Sequence, residues 1–331
     1  MSEVFCTRRV CIAPMLDWTD RHYRYLARLI AQRVYLYSEM INVNALIYGD
    51  TARFLAFDPS EMPVALQLGG SEREKLQQCA RLAMQWGYDE VNLNVGCPSE
   101  RVQSGAFGAC LMREAVLVAD LLCAMQDGAG MIPVTVKHRI GVDAVTDYAF
   151  VRDFVGTLAQ RSPCRVFIVH ARNAILQGLS PKENREIPPL KYAYVHQLKA
   201  DFPHLEIVIN GGITQHTAVQ EHLQFVDGVM IGREAYHNPY WLARVDGDYY
   251  GLSERVALSR LEVAQQYFAY AERQFALGVP LLPLARPLLG LFHGCAGGRA
   301  WRRHLSDAPA LKREGLAVFA RALAAVSTPQ E

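Results

Sequence analysis

Eight short runs rich in Val, Ile and Leu alternate with amphipathic segments along the first 231 residues of the chain. Such runs are typical of buried parallel strands, and the amphipathic segments between them are typical of helices that return along the outside of a sheet. Strands are predicted at Val10–Pro14, Tyr35–Met40, Val64–Leu68, Glu90–Val95, Val134–His138, Val166–His170, Ile207–Asn210 and Gly228–Ile231. Eight such units predict an α/β fold, a (β/α)8 TIM barrel, with a flavodoxin-like sheet of fewer strands as the alternative.

The remaining third of the chain has a different pattern and a different charge. Barrel patterning stops near Ala243, so residues 1–243 are predicted to form the barrel, 244–254 a linker and 255–331 a small all-helical domain. Residues 255–331 carry ten Lys or Arg against five Asp or Glu, whereas the whole chain has a net charge of only +1. A basic domain beside a mildly acidic barrel favours a polyanionic partner.

Cysteine use and hydropathy predict the cellular compartment. The eight cysteines form no C-x-x-C pair and no His/Cys cluster at zinc spacing, so we interpret them as reduced thiols and expect no metal site. Residues 1–9 lack an apolar signal core, and the sequence contains no run of about 18 apolar residues. We therefore expect a cytoplasmic protein that does not associate with membranes.

The end of the fourth predicted strand carries the candidate catalytic residue. Asn94 is followed by Gly96, Cys97 and Pro98, which place one thiol on a constrained loop at the face where barrels build active sites. The alternative is a small buried core residue, since free cysteines are often buried. The glycine-punctuated segment 98–112 is predicted to act as a lid over this site.

Polar groups also follow the other strands, and all of them converge on the same face of the predicted barrel. Backbone amides of Gly211, Gly212 and Gly232 with the guanidinium of Arg233 would form a phosphate cradle, the alternative being two glycine turns. The remaining candidates at strand ends are Pro14, Met15, Gln67, Lys137, His170 and Asn210. Taken singly, Lys137 could be a strand-end ion pair and His170 a core histidine.

Two basic segments are candidate contacts to a polyanion. The segment 171–190 carries Lys182, Asn184 and Arg185, and Arg299 with Arg302 would share one face of a helix in the predicted helical domain. In both segments the alternative is an ordinary solvated surface.

The motif series, in its order along the chain, resembles that of the tRNA-dihydrouridine synthases. The matching stretches are Ala13–Met15, Gln67–Gly70, Asn92–Pro98, Lys137 with Arg139, His170–Arg172, Asn210–Gly212 and Gly232–Arg233. Residues 13–20, 180–190 and 301–303 are similar to the bacterial DusA branch of that family in particular. The resemblance covers nearly the whole chain.

The resemblance implies an FMN enzyme that reduces the C5=C6 bond of a uridine in the tRNA D-loop, with NADPH as the transient electron source. Hydride would pass from reduced FMN to C6, and a proton from Cys97 to C5. The branch implies U20, with U20a as a companion position. The implied FMN contacts are Pro14, Met15, Leu16, Gln67, Lys137, His170, Asn210, Gly211, Gly212, Gly232 and Arg233. The candidate tRNA contacts are Asn94, Lys182, Asn184, Arg185, Arg299 and Arg302.

The residue types agree with that chemistry, and three other readings stay open at this point. A cysteine thiol of ordinary acidity is protonated at neutral pH and can serve as an acid. The first alternative is an FMN barrel oxidoreductase acting on a small molecule, and the second is an aldolase or isomerase in which Lys137 forms a Schiff base. The third is a tRNA-binding module without catalysis. We expect a monomer with no obligate protein partner.

Overall fold

The computed structural model describes residues 8–99, 105–252 and 257–327. Its centre is a sheet of eight parallel strands in the order β1-β8-β7-β6-β5-β4-β3-β2. The strands are β1 (Val10–Ile12), β2 (Leu36–Asn42), β3 (Val64–Gly69), β4 (Glu90–Val95), β5 (Val134–Arg139), β6 (Val166–His170), β7 (Glu206–Asn210) and β8 (Gly228–Ile231). A parallel bridge between Cys11 and Tyr35 joins β1 to the start of β2, so the sheet closes into a barrel and the predicted fold class is confirmed.

Side chains from alternate strand positions fill the barrel interior. Its core cluster combines small and large residues, including Ala65, Tyr37, Ile168 and Met230, all with no solvent exposure. At the amino-terminal end, the guanidinium of Arg8 lies 2.7 Å from the Glu90 carboxylate and 3.1 Å from that of Glu206. One buried cation thereby ties the starts of β4 and β7 together.

Helices follow most strands, and side chains of the sequence define several of their ends. Asp20 and Asp147 accept hydrogen bonds from backbone amides in the first turn of the helices they precede, and Gly87 ends another helix in the left-handed conformation. The barrel helices are α2 (Val43–Tyr48), α3 (Thr51–Leu55), α4 (Arg73–Trp86), α5 (Ala115–Ala129), α6 (Tyr148–Arg161), α7 (Tyr192–Asp201) and α8 (His216–His222). Short 3₁₀ helices lie at Pro59–Glu61, Gly108–Arg113 and Glu183–Arg185.

The chain divides into two compact units whose boundaries differ from the predicted ones. The first unit comprises residues 1–16 and 35–232, and the second comprises 17–34 and 233–331, so α1 (Arg21–Ile30) belongs with the carboxyl-terminal helices. Its remaining helices are α9 (Arg233–His237), α10 (Val245–Tyr250), α11 (Arg260–Ala276), α12 (Leu281–Ala285), α13 (Gly298–Ser306), α14 (Ala308–Glu314) and α15 (Ala317–Ser327), with 3₁₀ helices at Pro239–Arg244 and Arg286–Gly290.

The predicted linker at 244–254 is helical over much of its described length. Residues 245–250 form helix α10, and the buried carboxylate of Asp246 accepts hydrogen bonds from the backbone amides of Gln32 and Arg33 at 2.7 and 2.9 Å. The Asp, Gly and Tyr residues that indicated a linker therefore lie in a short packed helix. Residues 253–256, which include the predicted domain start at 255, lie outside the described residues.

Aromatic packing holds the second unit together. The Tyr25 ring of α1 stacks on Tyr270 of α11 at 3.9 Å between ring centroids, and Tyr270 Oη lies 2.7 Å from His22 Nδ1. Trp301 is fully buried and donates its indole N–H to the Leu288 carbonyl oxygen at 2.7 Å. Burial of the ring with its one polar atom satisfied is the favourable way to place Trp in a core.

Two predictions about the chain as a whole can be compared with this structure. Among residues 8–99, 105–252 and 257–327, no helix combines the length and apolarity needed to span a membrane. The seven cysteines in these ranges are free thiols, and Cys6 lies outside them.

Candidate active site

Cys97 lies on the loop that follows β4, with its backbone held on both sides. The Asn94 side-chain oxygen accepts hydrogen bonds from the amides of Gly96 at 3.1 Å and Cys97 at 3.0 Å. The Cys97 carbonyl oxygen accepts from the Ala109 amide at 2.9 Å. The thiol itself is half-buried, 3.5 Å from Ser99 Oγ. Cys97 therefore has a fixed backbone and a partly exposed side chain, which argues against an ordinary core cysteine.

The predicted lid is packed in its second half. Phe107 is buried, and a side chain added at Gly69 would lie 2.7 Å from the Phe107 ring, so these two residues are in close contact. Residues 108–113 form a 3₁₀ helix in which Ala109, Leu111 and Met112 are buried. This half belongs to the barrel end, and residues 100–104 of the predicted lid lie outside the described part of the chain.

A chain of buried amides leads from the interior of the barrel to this loop. Asn94 Nδ2 donates to Gln67 Oε1 at 2.8 Å, and Gln67 Nε2 donates to Asn92 Oδ1 at 2.7 Å. Asn92 Nδ2 donates to Thr135 Oγ1 at 2.7 Å, and Thr135 donates in turn to the Glu90 carboxylate. Sequence reasoning named Gln67 and Asn94 but missed the other three. The alternation of polar residues within two apolar strands was the available signal.

Lys137 stands at the end of β5, facing the same region. Its ammonium donates to Asn210 Oδ1 at 3.2 Å, while Asn210 Nδ2 donates to the Met230 carbonyl oxygen at 2.8 Å. The pKa of Lys137 is lowered to about 7, mainly by burial and also by the positive charge of Arg139, while Cys97 acts in the opposite direction. The ammonium is thus close to both Arg139 and Cys97, and it can lose its proton near neutral pH.

Arg139 connects the Cys97 loop to the loop that follows β6. Its Nε donates to the Gly96 carbonyl oxygen at 3.1 Å, and its Nη1 donates to the carbonyl oxygens of Asn173 at 3.0 Å and Asn184 at 2.9 Å. Burial lowers the pKa of Arg139 to about 10, which still leaves it charged at neutral pH. Sequence reasoning noted Arg139 only as part of a motif and missed this connecting role.

The glycines after β7 adopt conformations that only glycine takes easily. Gly211 has a φ of +123° and Gly212 a φ of +67°, and a Cβ at Gly211 would lie 2.7 Å from the His170 ring. Tyr192 donates its hydroxyl to the Gly211 carbonyl oxygen at 2.6 Å. Burial, with the charges of Arg139, Lys137 and Arg172, keeps the pKa of His170 well below its ordinary value. His170 is therefore a neutral imidazole against a glycine turn.

The remaining candidates for a cofactor site lie at the ends of β1 and β8. Pro14 and Met15 are half-buried, whereas Leu16 is 62% exposed. A Cβ built on Gly232 would have the Ala13 and Met15 side chains as neighbours at 3.9 and 4.0 Å, which is ordinary van der Waals contact without a clash. Arg233 follows Gly232 in sequence and begins helix α9 of the second unit.

The predicted RNA contacts differ in exposure: Asn94 and Asn184 are buried, whereas the four cations are exposed. Asn184 has no solvent exposure, its Oδ1 accepts from the Ile175 amide at 2.7 Å and its Nδ2 donates to the Ile175 carbonyl oxygen at 2.8 Å. Its side chain therefore shapes the loop from inside. Lys182 and Arg185, on either side of it, are exposed.

Arg299 and Arg302 lie in helix α13 of the second unit, where both are exposed. They line a cavity of about 200 Å³ together with His293, Cys295 and Gly298. Arg303 is also exposed on this helix but does not line the cavity. Within the described ranges, no group of three or more His, Cys, Asp or Glu side chains could hold a metal ion.

Comparison with known proteins points to one family. A family model described as dihydrouridine synthase (Dus) matches residues 11–327. A tRNA-dihydrouridine(20/20a) synthase of Vibrio vulnificus (strain CMCP6) is 52% identical over 323 residues, covering 98% of each chain. The protein of the same name from Escherichia coli (strain K12) is 53% identical over 306 residues, which is 92% of this chain and 88% of that one.

Solved structures with a similar fold are more distant in sequence. Morphinone reductase in complex with tetrahydroNAD has a TM-score of 0.51 and 14% identity, covering 76% of this chain and 88% of its own. An old yellow enzyme homologue from Zymomonas mobilis has a TM-score of 0.51 and 12% identity, covering 77% and 91%. These similarities support the barrel assignment.

Proposed function

This chain belongs to the dihydrouridine synthase family, and from that premise we propose that it reduces the C5=C6 bond of uridine in the tRNA D-loop, at U20 and U20a, with FMN as bound cofactor and NADPH as reductant. The observation that carries the proposal is the placement of Cys97, a half-buried thiol on a fixed loop beside Lys137 and Arg139. The named relatives supply the two tRNA positions.

The residues at the carboxyl ends of the strands fit FMN. Gly211 and Gly212 hold positive φ angles that turn the backbone at the end of β7, and at Gly232 a Cβ would meet the Ala13 and Met15 side chains only at 3.9 and 4.0 Å. Lys137 and Arg139 add positive charge suited to an anionic cofactor. The residues that would hold FMN are Pro14, Met15, Leu16, Gln67, Lys137, His170, Asn210, Gly211, Gly212, Gly232 and Arg233.

Bound FMN, once reduced, supplies the hydride that uracil C6 receives. The protein must then provide a proton at C5, and the Cys97 thiol is suited to this as its S–H bond breaks and the C5–H bond forms. The thiolate left behind lies near two cations, because Cys97 acts electrostatically on both Lys137 and Arg139. These charges would stabilise the product state of the proton transfer.

Lys137 is suited to hold an anionic group at the strand ends. Without a ligand its pKa is lowered to about 7, mainly by burial. A neighbouring negative charge favours the ammonium form, so ligand binding would raise this pKa and fix the proton. Neutral His170, against the Gly211 turn, can donate or accept a hydrogen bond without adding charge.

Access to the target base requires that the nucleotide leave its stack in folded tRNA. Asn94, through the loop it holds, and the exposed cations Lys182 and Arg185 would meet the RNA near Cys97. Arg299 and Arg302 would bind backbone phosphates, which position the RNA without reading its sequence. The proposal includes a monomeric enzyme in the cytoplasm.

The experiment that tests this function uses unmodified tRNA transcripts with purified, FMN-loaded protein and NADPH. Dihydrouridine is mapped by alkaline cleavage at each D-loop uridine, with U20→C and U20a→C transcripts as controls. We expect dihydrouridine at 20 and 20a in the unmodified transcript, and loss of each product in its own control. NADPH oxidation with a small enone but no dihydrouridine in any transcript would instead support a small-molecule oxidoreductase.

A further inference from the structure

The buried series of hydrogen bonds that ends at the Cys97 loop can be formed with only one orientation of its side chains. The groups at its two ends determine that orientation. At the inner end, the carboxylate of Glu90, which pairs with the Arg8 guanidinium at 2.7 Å, can only accept hydrogen bonds. At the outer end, the backbone amides of Gly96 and Cys97 can only donate. Every amide between them must therefore point its oxygen towards the loop and its nitrogen towards Glu90, or one bond in the chain is lost.

Each link obeys this rule. Thr135 donates its single hydroxyl proton to Glu90, so its oxygen must accept a hydrogen bond from Asn92 Nδ2. Asn92 Oδ1 then faces Gln67 Nε2, and Gln67 Oε1 faces Asn94 Nδ2. Exposure of these five side chains is 0% for Glu90, Thr135 and Asn92, 1% for Gln67 and 9% for Asn94. Water therefore offers the inner groups no alternative partner, and a reversed amide would be costly.

We propose that Glu90, Thr135 and Asn92 are positioning residues for Cys97, because together they fix the Asn94 rotamer that holds the Cys97 backbone. The inference rests on the proposed role of Cys97 as proton donor. It assigns a function to three residues that lie inside the barrel and have no solvent exposure. It also explains why polar residues alternate along β4 in an otherwise apolar interior.

Thr135→Val tests the chain because valine has nearly the same shape but no hydroxyl. Asn92 Nδ2 then has no acceptor, and reversal of the amides would place Asn94 Nδ2 against the Gly96 and Cys97 amides, donor against donor. Neither arrangement provides hydrogen-bond partners for both Asn92 and the loop amides, so the bonds that fix the loop weaken. Thr135→Ser keeps the hydroxyl and should restore the wild-type behaviour, whereas a general loss of packing would not be restored.

Amide hydrogen exchange of the FMN-loaded protein is the first measurement, since it needs no RNA. In Thr135→Val we expect exchange at Gly96 and Cys97 to rise about three- to tenfold, the range of one hydrogen bond. Thr135→Ser should return it to the wild-type rate. Ser162→Ala is the matched control, because it removes a buried hydroxyl that donates to the Leu158 carbonyl oxygen, outside this chain. Unchanged exchange in Thr135→Val would overturn the proposal.

The second measurement is single-turnover reoxidation of the reduced enzyme by saturating tRNA. We expect Thr135→Val to slow it about three- to tenfold, with recovery in Thr135→Ser. Faster exchange with unchanged reoxidation would refute the positioning role. If tRNA fails to reoxidise even the wild type, the proposed function fails, while the exchange experiment still decides whether the chain holds the loop.

Glu90→Gln provides a second variant if Thr135→Val does not fold. The glutamine amide has the size of the carboxylate but can donate as well as accept, so the inner end no longer imposes a direction. We expect the same acceleration of exchange at Gly96 and Cys97. A folded Glu90→Gln protein with wild-type exchange and wild-type reoxidation would contradict the proposal.

Discussion

Substitution of single residues at the barrel mouth can distinguish the two half-reactions of the proposed reaction. Cys97 is held by its backbone and its thiol is half-buried, so removal of the sulfur leaves the loop bonds intact. We expect Cys97→Ala to retain FMN and to be reduced by NADPH at the wild-type rate. Reoxidation by tRNA should slow by at least about 100-fold, the lower range for a general acid.

Stopped-flow absorbance of the flavin measures both half-reactions in the same Cys97→Ala sample. Cys97→Ser should behave almost as poorly, because a hydroxyl is a much weaker acid than a thiol. Cys110→Ala is the matched control, since Cys110 is half-buried on the adjoining 3₁₀ helix. Reoxidation of Cys97→Ala at the wild-type rate would show that the proton comes from another group.

Lys137 makes the stability of the flavin-free protein depend on pH. Burial lowers its pKa from 10.5 to about 7, so between these values the unfolded chain binds a proton that the folded chain has lost. Lys137 therefore lowers the free energy of unfolding most at pH 7 and below. This loss shrinks as the pH rises towards 10. We expect Lys137→Met to stabilise the flavin-free protein at pH 6.

Thermal unfolding at pH 6, 7.5 and 9 checks this sign. The Tm difference between Lys137→Met and the wild type should be positive at pH 6 and should shrink at pH 9. Lys182→Met, at an exposed position, serves as the control and should shift Tm equally at all three pH values. A difference that grows with pH would exclude a lowered Lys137 pKa.

The position of a side chain in the fold could be predicted from the sequence where its neighbours along the chain define its surroundings. Cys97 between Gly96 and Pro98 is such a case. Asn184 is not, because its place inside the loop follows from bonds to Ile175 that the sequence pattern does not reveal. The partners of Gln67 come from two other strands, so only the closed barrel brings them together.

Among the elements of the site, the turn after β7 has a strict backbone requirement at Gly211. At Gly211 an alanine would combine a φ of +123° with a Cβ 2.7 Å from the His170 ring. We expect Gly211→Ala to lose FMN during purification and to be destabilised by more than the roughly 1 to 2 kcal/mol of a positive φ alone. Gly178→Ala is the control, because Gly178 has a φ of +84° but open space around it.

Urea unfolding of both flavin-free variants, with flavin content from absorbance, separates these contributions. Gly178→Ala should show the backbone cost and keep its FMN. Equal destabilisation of the two variants, with full flavin occupancy in both, would mean that the Gly211 turn is not part of the cofactor site.

Helix α13 presents the cations proposed to meet RNA phosphates. Replacing Arg299 and Arg302 with alanine should weaken tRNA binding and reduce the slope of log K against log salt by about one to two. Flavin reduction by NADPH should not change. Arg303→Ala, on the same helix but outside the cavity, is the matched control for loss of charge. An unchanged salt slope in the double variant would assign both arginines to an ordinary solvated surface.

Element positions were the part of the fold that the sequence predicted best. Each predicted strand overlaps an observed one, because the apolar runs that fill a barrel are short and separated by amphipathic helices. Helix α10 was missed because Asp246, read as a linker residue, is satisfied by backbone amides far away in sequence. The assignment of α1 to the second unit could not be predicted, since its partners lie more than 200 residues further along the chain.

For the molecule as a whole, the cluster of Arg8 with Glu90 and Glu206 closes the amino-terminal end of the barrel. Glu90 has no solvent exposure, so Arg8→Met would leave a buried carboxylate without its cation. We expect a loss of about 3 to 5 kcal/mol in the free energy of unfolding. Arg152→Met, which removes an exposed pair with Asp153, should cost far less, because solvent screens exposed ion pairs.

Equilibrium urea unfolding measures the Arg8→Met and Arg152→Met variants under the same conditions. The double variant Arg8→Met with Glu90→Gln should recover part of the loss, because the uncompensated charge is gone. A similar small cost for both single variants would show that the cluster contributes little to the stability of the barrel.

The discontinuous second unit has a consequence for synthesis on the ribosome. Helix α1 is complete by residue 30, but Tyr270, on which Tyr25 stacks, emerges about 240 residues later. At roughly 5 to 20 residues per second, the buried face of α1, with Tyr23, Leu26 and Ile30, waits on the order of ten to fifty seconds for its partners. During that interval the nascent chain carries an uncovered apolar helix, which is the kind of surface that chaperones bind.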